Sequence, residues 1–165
     1  MERVEDCMTK VVPVSQAVSR IGDEAIVTVS SSSTLGCPDV VLAAIGARFD
    51  AEGHPRNITS LHPIAAGDVY GVKGMDHIAK DGLLARVLAG SYPSGPSSVE
   101  MPEIWKMITE DRVAAYNVPS GIMFDMHREA AANRPGVLTE VGLDTFVDPQ
   151  RQGCAMNDRG AASSI

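Results

Sequence analysis

With 165 residues, the chain is long enough to fold as one domain around a sizeable hydrophobic core. Its composition, 44% hydrophobic and 21% charged residues, is that of a soluble globular protein. The formal net charge of -7 argues against a general nucleic-acid or anionic-membrane binder, but it is compatible with a local basic pocket for a phosphorylated ligand.

The three cysteines, Cys7, Cys37 and Cys154, are widely spaced and form no CxxC pair. This pattern favours a reduced, cytoplasmic setting over a disulfide-stabilised one. The charged amino-terminal residues lack the apolar centre of a signal peptide, and the longest apolar runs are too short to span a bilayer.

The first predicted helix covers residues 15–21, with Ser15 as its N-cap. A strand, a turn of small residues and a second helix then follow between residues 26 and 49. The β-branched run from Ile26 to Val29 predicts a buried strand, while Pro38 and Asp39 suit the first turn of a helix. In between, backbone N–H groups can face an anion or a developing oxyanion. The alternative is an ordinary connection between a strand and a helix.

Further strands and helices alternate along the rest of the chain. Strands are predicted at residues 58–62 and 113–117, helices at 75–79, 103–111 and 122–132, and short extended pieces at 137–139 and 146–149. Residues 83–89 form either a strand or a helical turn, and a strand is favoured for part of this segment because a loop follows it. This alternation predicts an α/β fold with a mostly parallel sheet. Ligands of such sheets bind beyond the carboxyl ends of the strands. Loops of small residues follow the predicted strands at 30–36, 63–74, 91–98 and 118–121, so we expect them to meet at one edge and form a site.

The sequence contains few side chains in arrangements that are typical of catalytic sites. The four histidines, His54, His62, His77 and His127, are isolated in sequence and are interpreted as surface or loop residues rather than metal ligands; no metal-ligand cluster is evident in the sequence. Asp68 and His77 form either a catalytic carboxylate and base or a hydrogen-bond network within their loop. Asn117 either presents its amide to a ligand or caps its own turn.

Four segments, in the same order and without a large gap, carry a resemblance to a known family. They are GHPR at 53–56, the loop containing Gly67-Asp68, Gly74 and His77, the run YNVPSG at 116–121, and GLDTFVDP at 142–149. Over about residues 10–157 the chain resembles the N-terminal, alpha-subunit-like half of the acyl-CoA:acetate/3-ketoacid CoA-transferases (family I CoA-transferases).

The resemblance implies an open, mostly parallel sheet with helices on both faces, as in the NagB/RpiA/CoA-transferase type of fold. It also implies a CoA-transferase domain over residues 1–157. Residues 158–165 no longer resemble the family, and we expect them to be a disordered tail.

The resemblance further implies transfer of coenzyme A from an acyl-CoA to a free carboxylate or 3-ketoacid, as in ketone-body or short-chain fatty-acid metabolism. A glutamate attacks the thioester, the CoA thiolate attacks the resulting anhydride, and the acceptor carboxylate completes the exchange. In this family the glutamate lies in a second, beta-type half. The chain would therefore hold no catalytic nucleophile and no permanent cofactor, with coenzyme A as a substrate.

Family members carry a glycine-rich turn after the first strand, whose amides help to form an oxyanion hole. The residues in its place here are Ser31, Ser32, Ser33, Thr34, Leu35 and Gly36. Other candidates for the pocket are Gly67, Asp68, His77, Asn117, Ser120 and Gly121. Serines thus replace glycines at a turn where close approach and unusual φ/ψ angles are easier for glycine.

The expected partners are acyl-CoA and carboxylate substrates and a beta-type half, in an oligomer, with neither nucleic acid nor membrane. Two alternatives remain open. The chain is either a non-catalytic remnant or scaffold subunit of the same fold, or a sensor of CoA or phosphorylated sugars.

Overall fold

The computed structural model describes residues 10–68, 70–93 and 100–163. The elements, in chain order, are α1 (Val14–Val18), β1 (Ile26–Thr28), α2 (Asp39–Glu52), β2 (Ile58–His62), a 3-10 helix (Gly74–His77), β3 (Leu84–Ala89), α3 (Glu103–Thr109), β4 (Ala114–Asn117), α4 (Ser120–Ala131) and α5 (Asp158–Ala161). Within these ranges, none of the helices combines the length and the apolar character needed to cross a membrane.

The four strands form one parallel sheet in the order β1-β2-β3-β4. Each β-branched or apolar run of the sequence pairs with the next one along the chain, and a helical segment connects each strand to its neighbour. The prediction of an α/β fold with a mostly parallel sheet and helices on both faces is confirmed.

The first face of the sheet carries the larger core. Alternate strand residues such as Ile58, Val87 and Ala115 point to this face and are fully buried. They pack against α1, α2, the 3-10 helix and α3, which contribute, among others, Leu42 and Ile104. Because aromatic residues are scarce, aliphatic and methionine side chains fill this core.

The second face carries a smaller core beneath α4. Leu61, Leu88 and Tyr116 lie in one cross-strand row and pack against Met123 of α4. This row is covered as far as β1, where Thr28 Oγ1 is hydrogen bonded to the ring of His127 in α4. Helices therefore cover both faces of the sheet, as is usual for parallel strands. The exception is the second face near the amino ends of the strands.

The first strand was predicted to be buried, and this prediction is wrong. Ile26 is 72% exposed and Thr28 is also exposed. The reason is that β1 is an outer strand of the sheet, and its second face is left open below the hydrogen bond to His127. Only Val27 and Val29, which point to the first face, join the larger core.

Other predicted boundaries shift by a few residues. Helix α1 begins at Val14 with Pro13 as its N-cap, so the prediction of Ser15 as the N-cap is wrong. The predicted helix at 75–79 is the 3-10 helix.

The extended pieces predicted at 137–139 and 146–149 are not strands. The chain forms successive turns over 141–154, and the Asp148 carboxylate accepts the N–H groups of Asp144 and Gln150 at 3.0 and 2.8 Å. The hydrogen bond from Asp144 lowers the pKa of Asp148. Side-chain to backbone bonds of this kind hold a turn where a strand partner is absent.

Residues 158–163 also differ from the predicted disordered tail. Asn157 Oδ1 accepts the Gly160 N–H at 2.9 Å and caps α5. The amide nitrogen of Asn157 donates to the Val113 carbonyl at 2.8 Å. The Tyr116 hydroxyl lies 3.0 Å from the Gly160 carbonyl oxygen, so this segment packs at the outer edge of β4.

Candidate functional site

The loops after the four strands lie at the carboxyl edge of the sheet, because all strands run in the same direction. Hydrogen bonds join the first three loops to one another, and the end of β4 is bonded to the end of β3. The described parts of this loop cluster are residues 29–38, 63–68, 70–73, 90–93 and 118–119. Residues 94–98 of the third predicted loop lie outside the described residues.

The loop after β1 is bonded to the loop after β2. Ser33 donates its N–H to the Ala65 carbonyl at 2.8 Å, and the Ser33 carbonyl accepts the Gly67 N–H at the same distance. These reciprocal bonds extend the parallel pairing of β1 and β2 into the loops. The serine turn is therefore held at a fixed position above β2.

The loops after β2, β3 and β4 are also connected. The Ala65 N–H donates to Ser91 Oγ at 3.0 Å, and the Gly90 N–H donates to the His62 carbonyl at 2.9 Å. The Asn117 side-chain amide donates to the carbonyls of Ala89 and Gly90, both at 3.3 Å. Asn117 thus neither caps its own turn nor extends free from the edge; its amide holds the end of β3.

The serine turn itself is tight and exposed. Ser32 and Leu35 exchange backbone hydrogen bonds at 3.0 and 2.9 Å. Ser33 has a φ of 52° and Gly36 a φ of 69°. In the described part of the chain, the N–H groups of Ser31, Thr34 and Gly36 have no hydrogen-bond acceptor. The turn therefore keeps backbone donors open even though serines stand where glycines were expected.

Asp68 acts within its own loop. One carboxylate oxygen accepts the N–H groups of Tyr70, Gly71 and Val72 at 3.0, 3.0 and 3.1 Å. These bonds, with that from Gly71 the strongest, lower the pKa of Asp68. The geometry corresponds to the loop network, one of the two interpretations of Asp68 and His77.

His77 faces a different carboxylate. Its Nε2 lies 3.2 Å from Asp39 Oδ1, and the same oxygen accepts the Gly74 N–H at 2.7 Å. Gly67 and Gly74 cross closely, since a Cβ on Gly67 would lie 2.7 Å from the Gly74 Cα. Asp39, at the start of α2, thereby holds the end of the loop after β2.

Ser120 and Gly121 begin α4 directly below the loop after β4. Ser120 approaches Gly90 so closely that a Cβ on Gly90 would overlap both Ser120 Oγ and the Pro63 carbonyl oxygen. Gly121 has nothing within 4 Å of the position its Cβ would take. Ser120 therefore belongs to the packed centre of the loop cluster, and Gly121 to its open side.

His62 was predicted to be a surface or loop residue, and this prediction is wrong. It is completely buried at the end of β2, and its Nε2 is hydrogen bonded to Ser60 Oγ. Its Nδ1 has no partner within the described residues. Burial lowers the pKa of His62 to about 4. The two polar residues are two positions apart and so share one face of the strand, a signal that is present in the sequence.

The described residues contain no group of three or more histidine, cysteine or acidic side chains placed to hold a metal ion. Of the three cysteines, Cys37 and Cys154 are free thiols, and Cys7 lies outside the described ranges. Burial raises the pKa of both thiols, and the Asp39 charge adds to the effect on Cys37. Neither is therefore an activated thiolate nucleophile.

Replacing Ser33 with valine tests the conformation of the serine turn. A β-branched side chain is strained at a φ of 52°, so we expect a loss of roughly 1–2 kcal/mol in the free energy of unfolding. Ser32→Val is the matched control, because Ser32 is exposed and has no positive φ; it should change stability by less than about 0.5 kcal/mol. Urea unfolding measures the free energy of unfolding of both variants. An equal loss in Ser33→Val and Ser32→Val would contradict the turn geometry.

The chain is similar to known proteins in both sequence and fold. The chain is 33% identical over 150 residues to the caffeate CoA-transferase of Acetobacterium woodii, which covers 91% of this chain and 27% of the relative. It is 30% identical over 149 residues to the acetate CoA-transferase YdiF of Escherichia coli (strain K12), a match that covers 90% of this chain and 27% of the relative. No protein-family model matches.

The fold comparison gives the same result. A crystal structure of the acyl-CoA transferase YdiF from Escherichia coli O157:H7, in a thioester complex with CoA, matches with a TM-score of 0.75 at 28% identity. The match covers 90% of this chain and 28% of that structure. The chain thus spans about a quarter of the length of the relatives it matches. The resemblance to the CoA-transferases is confirmed, since in both sequence and fold the chain is similar to a part of these enzymes.

Proposed function

We propose that this chain is the alpha-type part of a CoA-transferase and that it forms one wall of the active site. The observation that carries the proposal is the loop cluster, in which the first three strand-end loops are bonded to one another and Val118, after β4, is bonded to the end of β3 at the carboxyl edge of the sheet. That edge is where α/β proteins bind their ligands. The relatives named above are CoA-transferases, and one of them was crystallised as a thioester complex with CoA, which supports CoA transfer as the reaction proposed for this edge.

The serine turn supplies the first contribution to catalysis. Each step of CoA transfer places negative charge on a carbonyl oxygen, which backbone N–H groups stabilise. The open N–H groups of Ser31, Thr34 and Gly36 are the candidate donors. Because Ser33 is bonded on both sides to the loop after β2, these donors are held in place before substrate arrives.

The nucleophile comes from a second, beta-type part. Its glutamate attacks the acyl-CoA thioester and releases the CoA thiolate, leaving an acyl–glutamyl anhydride. The thiolate then attacks the anhydride, releasing the carboxylate product and forming a glutamyl–CoA thioester. Within the loop cluster, Asp68 is occupied by its loop and the Cys37 thiol has a raised pKa, so neither is the nucleophile.

The same proposal covers the setting of the protein. The chain works in the cytoplasm as part of an oligomer that contains the beta-type part, with acyl-CoA and a free carboxylate or 3-ketoacid as substrates. Exposed apolar side chains on the 138–146 segment, including Leu138 and Val141, are suited to such an assembly.

Exchange of CoA between acetyl-CoA and labelled acetate tests the proposal. The purified chain alone should show no exchange, and exchange should appear when the matching beta-type part is added. Replacing the nucleophilic glutamate of that part with glutamine should abolish the exchange again. Exchange by the chain alone would contradict this division of roles. A stable but inactive complex would instead support the scaffold alternative.

A further inference from the structure

A cavity of about 730 Å³ lies at the amino ends of the strands, opposite the loop cluster. Its floor is the part of the second sheet face that α4 leaves open. The residues of the floor form a cross-strand row, in which Thr59 pairs with Arg86 and Arg86 with Ala114. The volume is within the range of pockets that bind small molecules.

Arg86 stands at the centre of this floor without a partner. It is half-buried, and the described residues offer it no hydrogen bond or ion pair. Nearby Arg112, in contrast, is bonded to Asp81, Glu103 and Glu110 at distances of 2.5–2.9 Å. A guanidinium on a sheet face, partly removed from water, is stabilised when an anion meets its fixed array of N–H donors.

The walls of the cavity add further donors. The Arg159 guanidinium, in α5, donates to the Arg112 carbonyl and forms no ion pair within the described chain, while the Arg159 backbone N–H donates to the Asp111 carboxylate at 2.8 Å. Asn57 and Thr59 contribute an amide and a hydroxyl, whereas the Ser163 hydroxyl already donates to the Arg159 carbonyl at 3.0 Å. Glu24 also lines the cavity and is its one acidic group besides the paired Asp81. Two guanidinium groups without an ion pair among the described residues therefore line the cavity together with one unpaired carboxylate, in a chain whose overall charge is -7.

We propose that this cavity binds a small compound through a phosphate group, with Arg86 as the principal ligand and Arg159 as the second. A phosphate has three acceptor oxygens, and guanidinium groups bind them in a bidentate manner. Asn57 and Thr59 supply neutral donors beside Arg86, whereas the Glu24 carboxylate opposes the charge of the phosphate. A peptide segment fits this site less well than a small molecule does. The site is a cavity with walls formed by α5 and by the turns at 24, 57 and 81–82, not a flat surface.

Calorimetric titration of the purified chain at low ionic strength tests this site. Inorganic phosphate and glycerol 3-phosphate are the two probes, and they separate a free anion from a phosphate ester. Arg86→Gln should weaken binding by about tenfold or more, the effect of one charge-assisted contact. Glu24→Gln should strengthen it by removing the opposing charge. Arg20→Gln is the matched control, since Arg20 is exposed and outside the cavity and the charge change is the same.

Because Arg86 contacts no described partner, Arg86→Gln should keep the melting temperature of the native chain, which circular dichroism checks. Three results would overturn the proposal. They are the absence of binding of both probes at millimolar concentration, an equal loss in Arg20→Gln, and binding that Arg86→Gln leaves unchanged. Binding of glycerol 3-phosphate but not of phosphate would support the ester as the ligand.

Discussion

Replacing Gly90 with alanine is expected to destabilise the fold by roughly 3 kcal/mol. Gly90 follows β3 and lies between the Pro63 carbonyl and Ser120, where a methyl group would overlap both. The Pro63 oxygen belongs to the backbone and cannot turn away as a side chain would. The Gly90 N–H is also bonded to the His62 carbonyl, so a displaced Gly90 would separate β3 from β2 at their ends.

Urea unfolding followed by circular dichroism measures this effect. Gly121→Ala is the matched control, because Gly121 is in α4 and nothing lies within 4 Å of its Cβ position. Alanine there should raise the free energy of unfolding by up to about 1 kcal/mol, the difference in helix propensity. If Gly90→Ala were as stable as the native chain, the close packing of the three loops around Gly90 would be refuted.

The sequence predicted the sheet and the position of the loops for physical reasons. Short β-branched and apolar runs alternate with helical segments, and this pattern requires crossover connections and hence parallel strands. Once the strands are parallel, the loops that follow them must share an edge. Strand β2 was therefore predicted with its observed bounds, Ile58–His62, and the bond between Ser33 and Ala65 lies at the expected edge.

The details that failed depend on tertiary contacts. The exposure of Ile26 follows from the outer position of β1, and strand order is not encoded in a local run of residues. The prediction for His62 treated histidine as a polar surface residue, although its bond to Ser60 allows it to be buried. The turns around Asp148 and the cap at Asn157 use side-chain oxygens, whose backbone partners only the folded chain identifies.

The geometry of the candidate site could be predicted only in part from the sequence, because it also depends on tertiary contacts. Asp68 and His77 are close in sequence, yet Asp68 bonds to its own loop and His77 lies beside Asp39 from the start of α2. The resemblance to the CoA-transferases identified the loops. The partners of the carboxylates in them could be identified only from the folded structure. The open row at Arg86 likewise appears only when the register of three strands is known.

Acidification from pH 6.5 to about pH 4 is expected to remove about 3 kcal/mol of stability through His62 alone. The folded chain holds His62 neutral, because burial lowers its pKa from 6.5 to about 4, whereas the unfolded chain protonates it near pH 6.5. Between these values the unfolded state binds more protons, so stability falls as the pH falls. Above pH 6.5 both states are neutral, and this contribution to the pH dependence vanishes. The protonated ring carries an N–H at both nitrogens, and its Nδ1 has no acceptor in the described structure.

Urea midpoints measured at several pH values within this window test the expectation. His62→Gln should remove most of the slope, because glutamine keeps a polar group beside Ser60 but does not titrate. His54→Gln is the control, because His54 is exposed and lies outside the buried pair of Ser60 and His62; the slope that His62 causes should remain. The carboxyls with lowered pKa values, Asp23, Asp68 and Asp148, titrate below their ordinary value of 3.8 and so act at lower pH. A slope that persists in His62→Gln would show that another group is responsible, and the buried neutral state of His62 would then be wrong.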